Sequence, residues 1–170
     1  MRRDFSEPPS ALRDKPQESK SELLLYVEDD DDNWEVASYR LRDSYELVRA
    51  MNAEDACKVI RARHTEISVI LMDIELRGSD LNGVELIQLL RGNAAQVTNC
   101  IPAYARNLPF VSKPVIYVTA HARQFTNVEL LLTGAEKVLP KPIDFADLRT
   151  VLSELLAARK GRSLPWSVPP

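Results

Sequence analysis

The chain reads as a doubly wound α/β domain, a five-stranded parallel sheet with helices on both faces. Two observations predict it. Five short apolar runs begin near Leu23, Tyr45, Ile67, Pro114 and Lys137, and the segments between them carry apolar residues three and four apart. Alternating strands and amphipathic helices give a parallel sheet covered on both faces. The second observation is what closes the runs: Glu28 and Asp29, Asp73, Thr119, and Lys141. Parallel strands bring their carboxyl ends to one edge, where open α/β sheets bind ligands.

Leu23–Val27 is short, apolar and unbroken, as a strand buried on both faces should be. The stretch 31–43 follows with Trp34, Ala37 and Leu41 at helical spacing and acids at its start, which suit a helix amino terminus. Residues 45–50 form a second, less apolar strand, nearer an edge. Asn52 caps a helix reaching about His64, with Asp55 three residues on and Ala53, Ala56, Val59, Ile60 and the Arg63 stem on one face. Ile67–Met72 is the third and most apolar strand. Val84 to Arg91 is a helix ended by Gly92. Residues 114–119 form the fourth strand, and 125–133 a helix stopped at Gly134. Residues 137–139 form a short fifth strand, and Asp144 opens a last helix to about Lys160.

Two stretches break the alternation. Residues 93–113 make a connection far beyond the roughly half-dozen residues usual between elements. The last residues, 161–170, are Pro-rich and carry Trp166. The first 20, with Pro8, Pro9, Pro16 and mixed charge, read as a disordered leader. The expected organisation is thus a leader over 1–20, one domain over 21–160 with a long insertion at 93–113, and a tail. Nothing after about Lys160 offers a second domain.

Composition narrows the function. The net charge of −3 argues against a nucleic-acid surface, and no apolar run approaches a membrane span. No signal-peptide core follows the basic first residues. Cys57 and Cys100, the only cysteines, have no metal-ligand spacing and read as reduced cytoplasmic thiols.

The residues at the strand ends suit phosphoryl transfer to a carboxylate. Such chemistry needs an ionised aspartate as nucleophile, a divalent cation to screen it, and cationic and hydrogen-bonding groups for the peripheral oxygens. Asp73 is the nucleophile candidate. Glu28 and Asp29 are further metal carboxylates, and magnesium fits because it takes one or two carboxylates and keeps several waters. Lys141 offers a point charge and Thr119 a hydroxyl.

These residues, with their surroundings, resemble the receiver domains of two-component response regulators. The matching pieces are residues 25–30 (LYVEDD), 70–74 (ILMDI), 82–86 (NGVEL), 118–120 (VTA) and 139–142 (LPKP). The spacings, 44 residues from Asp29 to Asp73 and 22 from Thr119 to Lys141, are similar to the family's. The resemblance covers about residues 22 to 158. It implies a flavodoxin-like sheet of order 2-1-3-4-5, and phosphorylation of Asp73 by a sensor histidine kinase or histidine phosphotransfer protein. It also implies Mg2+ held by Asp29, by Glu28 through water, by Asp73 and by the backbone carbonyl of Glu75. Thr119 and Lys141 would contact the phosphoryl group. Glu75 and His121 would tune dephosphorylation, and the Lys141–Pro142 bond would be cis. Output would be protein–protein contact through a surface near 122–158, as a stand-alone adaptor or phosphorelay intermediate rather than an enzyme.

Four departures from the family pattern stand out. Glu28 replaces the commoner aspartate. The loop after Asp73 runs Arg77-Gly78-Ser79-Asp80-Leu81, where a shorter turn with proline is usual. Val138 occupies the place of an aromatic switch residue. The 93–113 segment is long, and its Tyr104 and Phe110, like Trp166, can either dock a partner or fold back on the core. Two other readings share the constellation. One is a degenerate, phosphate-independent receiver-like binding module. The other is a phosphohydrolase of the haloacid dehalogenase kind, whose motif puts an aspartate where this chain has Glu75 and its acidic pair late rather than early.

Overall fold

A computed structural model describes residues 21–120 and 131–162. The expected leader, His121, most of the helix expected over 125–133, and Trp166 lie outside the described residues.

Five strands, β1 (Leu23–Val27), β2 (Glu46–Ala50), β3 (Ile67–Met72), β4 (Val115–Thr119) and β5 (Lys137–Pro140), form one parallel sheet of order β2-β1-β3-β4-β5. This is the flavodoxin-like order. The helices are α1 (Asp31–Leu41), α2 (Ala53–Arg63), α3 (Gly83–Leu90) and α4 (Phe145–Arg162). Each expected strand is present within a residue of its expected ends.

Alternation along the strands builds two cores. Leu25, Val27, Ile70, Met72, Val115 and Tyr117 face α2 and α3, meeting Ala56, Ile60, Leu86 and Leu90. Leu24, Tyr26, Val69, Leu71, Ile116 and Val118 face α1 and α4, meeting Ala37, Leu41, Leu148 and Leu152. β1, β3 and β4 are buried throughout, which is why their sequences are unbroken apolar runs. β2 pairs on one side only, and its Leu47, Val48 and Arg49 are half-buried.

Helix starts follow side-chain caps. Asp30 accepts from the Asn33 N–H, Asn52 from Asp55, and Asn82 from Glu85, which reaches back to the Asn82 N–H as a full capping box. Asp144 accepts from the Ala146 and Asp147 N–H groups at the start of α4. No helix among the described residues is long and apolar enough to cross a membrane.

The 93–113 segment folds back on the domain. It forms two short 3-10 turns, Ala94–Gln96 and Ala103–Ala105. Ala105 and Val111 are buried in the α2/α3 core, with Ile101, Tyr104 and Leu108 packed against it, while Phe110 is exposed. Polar anchors hold it. Arg61 on α2 donates to the carbonyls of Tyr104, Arg106 and Asn107. The Glu85 carboxylate accepts from Thr98 and Asn99. Arg91 donates to the carbonyls of Val111, Lys113 and Gly134.

Candidate functional site

Register alone brings the strand-end residues together. Val27 lies beside both Ala50 and Met72, so Glu28 and Asp73 leave the sheet on adjacent strands. Their amides close it: Glu28 N–H donates to the Ala50 carbonyl and Asp73 N–H to the Val27 carbonyl. Thr119 pairs with Pro140, which puts Lys141 one step past it, and the Lys141 N–H donates to the Thr119 carbonyl. The Lys141–Pro142 bond is cis.

At this edge is an open cleft of about 300 Å³, lined by Glu28, Asp29, Asp30, Asn33, Asp73, Glu75, Arg77, Ala120 and Lys141. Lys141 Nζ lies 2.5 Å from Asp73 Oδ2 and 2.7 Å from Glu28 Oε2. One ammonium thus bridges two carboxylates that are 68 and 113 residues away in sequence. Asp73 Oδ1 accepts from the Glu75 N–H at 3.1 Å, which orients the carboxylate. Oxygens of Glu28, Asp29 and Asp73 lie within 4.8 Å of one another. Thr119 is fully buried at the end of β4, with the exposed Ala120 next to it on the cleft wall.

Electrostatics follow from this packing. Burial raises the Asp73 carboxyl above its usual value, an effect opposed by Lys141 and reinforced by Glu28. Burial pulls Lys141 down, but its bonds to Asp73 and Glu28 outweigh that and leave it raised. Glu28 is inaccessible to solvent and satisfied by donors: the Tyr26 hydroxyl at 2.7 Å, the Asp30 amide at 3.2 Å, Asn33 Nδ2 at 3.3 Å, and Lys141. Burial, then the Glu28 charge, pushes the Tyr26 hydroxyl far up, so Tyr26 stays a neutral donor.

The family model of the response regulator receiver domain matches residues 24–153. The chain belongs to the receiver domain family. Relatives of this receiver include the transcriptional regulatory protein ZraR of Klebsiella oxytoca, 27% identical over 135 residues, with 79% of this chain and 26% of that protein covered. The osmosensing histidine protein kinase SLN1 of Saccharomyces cerevisiae is 27% identical over 156 residues, with 89% of this chain and 11% of that protein covered. The curated relatives are longer proteins, and the match spans between 11% and 48% of their lengths. Among solved structures, the receiver domain of the Francisella response regulator 1452 superposes with a TM-score of 0.65 at 18% identity, covering 82% of this chain and 99% of that one. That likeness speaks for the fold.

Three features of the receiver's site were not read from sequence. Arg49 on β2 is largely buried; it donates to the carbonyls of Glu28 (3.0 Å) and Asp29 (3.1 Å) and pairs with Asp31 at 2.7 Å. It fixes the acidic turn from beneath, and its guanidinium lies over the Trp34 ring. Its only sequence signal is a cation inside a strand that ends beside acids. Gly83 sits directly under Asp73. A Cβ there would lie 2.0 Å from the Asp73 carbonyl oxygen, so only glycine lets α3 start this close. Arg77 pairs with Asp29 at 2.7 Å and Asp30 at 3.2 Å.

Proposed function

We propose that Asp73 of this receiver accepts a phosphoryl group from a phosphohistidine on a sensor histidine kinase or histidine phosphotransfer protein. The observation that carries the reading is Lys141 seated between Asp73 and Glu28, beside Asp29 in an open cleft. The match within a histidine protein kinase supports a place in phosphohistidine signalling.

The chain's own residues have distinct tasks. Asp73, held by the Glu75 N–H and Lys141, attacks phosphorus in line, and the P–N bond to the donor imidazole breaks as the new P–O bond forms. Lys141 takes charge on a peripheral phosphoryl oxygen, and the Thr119 hydroxyl is the second group proposed for that role. Asp29, Asp73, Glu28 and the Glu75 carbonyl are the proposed Mg2+ ligands. An all-oxygen donor set of this kind suits a hard divalent cation. Bound Mg2+ supplies charge screening between the nucleophile and the incoming phosphoryl group. Glu75, on the cleft wall, and His121 are the proposed tuners of self-dephosphorylation.

Phosphorylation replaces one negative charge by about two and adds strong acceptors. It can shift the domain only through contacts that differ between its two states. The output proposed is protein–protein contact through the surface near 122–158, in the cytoplasm. The chemistry is limited to self-phosphorylation and self-dephosphorylation.

Intact mass after incubation with Mg2+ and acetyl phosphate tests the reading. The expected result is one added phosphoryl group in the wild type and none in Asp73→Ala. No adduct, and no spectral response to beryllofluoride, would favour the phosphate-independent binding module. Sustained turnover of p-nitrophenyl phosphate would instead favour the phosphohydrolase.

A further inference from the structure

The loop after Asp73 is longer than the usual turn, and its extra length does something specific. Leu76 to Ser79 form a tight turn closed by the Ser79 N–H donating to the Leu76 carbonyl at 3.2 Å. Gly78 stands third in it with φ 72°, as a type II turn requires. Ser79 Oγ then accepts from the Ala53 N–H at 3.0 Å, tying the loop to the start of α2. Leu76 and Leu81 anchor both ends in the core. Asp80 faces the Tyr104 hydroxyl from the 93–113 segment, and burial together with that carboxylate pushes Tyr104 up to about 12. The two stretches that depart most from the family pattern therefore support each other.

The residue this framework presents is Arg77. Its side chain is 74% exposed, yet its guanidinium is committed to the cleft: Nε to Asp29 Oδ2 at 2.7 Å and Nη2 to Asp30 Oδ2 at 3.2 Å. Asp29 is 13% exposed and carries one of the oxygens grouped with Glu28 and Asp73. A carboxylate oxygen already holding a guanidinium at hydrogen-bond distance cannot give the same lone pairs to a metal ion.

We infer that Arg77 is a built-in competitor for the divalent cation, holding Asp29 and Asp30 in the metal-free domain and leaving Asp29 when the ion binds. This rests on the proposed Mg2+ reading of the cleft and adds a residue that sets its metal threshold. Arg77 is a positioning residue that acts through Asp29. Because its guanidinium is solvated, the competition is modest. An exposed ion pair of this kind corresponds to about fivefold in a binding constant.

Calorimetric titration of Mg2+ into the full chain at fixed ionic strength tests this. Arg77→Gln should bind Mg2+ about fivefold more tightly than wild type, and Arg77→Lys should bind like wild type. Arg63→Gln removes the same charge from the far end of α2, where Arg63 pairs with Glu46 and Glu66, and should leave affinity unchanged. Circular dichroism should show all three variants folded. Unchanged or weaker binding in Arg77→Gln overturns the proposal while leaving the metal reading intact, and so does an equal gain in Arg63→Gln. Wild-type protein that takes up no Mg2+, or Asp29→Asn that binds it as wild type does, overturns both.

Discussion

Replacing Gly83 with alanine should damage both the fold and the proposed acceptor site, and the size of the effect follows from one contact. The added Cβ would lie 2.0 Å from the Asp73 carbonyl oxygen, 3.0 Å from its carbonyl carbon and 2.9 Å from Met72 Cγ. The Met72 side chain could give way. The Asp73 carbonyl belongs to backbone whose amide is fixed to Val27 and whose neighbour, Ile74, accepts the Gly83 N–H at 2.9 Å. Relief therefore requires the amino terminus of α3 to move off the sheet by about 1.5 Å, the gap between the clash and an ordinary carbon–oxygen contact. Overpacking of this kind costs about 3 kcal/mol. The same shift pulls on Ile74, whose carbonyl holds the Gly83 N–H, and so on the loop leaving the proposed nucleophile Asp73; about 1 Å of misplacement at a reacting group can cost on the order of 100-fold in rate. Urea denaturation should show the midpoint falling with little change in slope. Acetyl phosphate labelling of the still-folded fraction should slow by at least about tenfold. A variant within about 0.5 kcal/mol of wild type that labels at the wild-type rate would refute the claim that α3 is packed against the acceptor strand without slack.

Two further outcomes follow from the packing. Lys141→Met removes the shared partner of Asp73 and Glu28; it should destabilise the domain by about 3 kcal/mol and abolish acetyl phosphate labelling, measured by urea titration and intact mass. Glu85 is buried, which by itself raises its carboxyl, but bonds from Asn82, Asn99 and Thr98 outweigh this and hold it below its usual value. A depressed folded-state pKa means stability that is present above the unfolded value and lost as pH falls through the folded one. Urea titrations below pH 5 should therefore show wild type losing stability more steeply than Glu85→Gln, and the two curves should converge in acid.

Legibility followed burial. β1, β3 and β4 are covered on both faces, so their sequences carry little but apolar side chains and their ends are sharp. The caps at Asn52 and Asp144 were visible because they bond within three residues. The strand-end acids, Thr119 and Lys141 could be singled out because parallel topology fixes one edge without knowledge of any contact. What sequence did not reveal depends on side chains reaching distant backbone. Arg61 holds carbonyls 43 to 46 residues away, and Arg91 holds ones 20 to 43 away. No local periodicity records such bonds, so the 93–113 segment looks irregular although Ala105 and Val111 are buried. Arg49 and Arg77 escaped for the same reason, since each looks like an ordinary surface cation until its acidic partners are in place.

The cleft's charge balance ties these parts together. Among the described residues, five carboxylates line it, from Glu28, Asp29, Asp30, Asp73 and Glu75, against two cations, Lys141 and Arg77. The two cations are not equivalent. Lys141 is 13% exposed and spans the buried pair, so its attraction works in a poorly screened setting. Arg77 is 74% exposed and holds the more accessible pair, where water weakens the bond. Adding a divalent ion should therefore displace the weaker contact and spare the stronger. On the proposed reading, Lys141 is the cation kept beside Asp73 and Arg77 the one whose place the ion takes. Burial, with Glu28 adding to it, raises Asp73, and the surplus of carboxylates over cations in the cleft favours a further cation there.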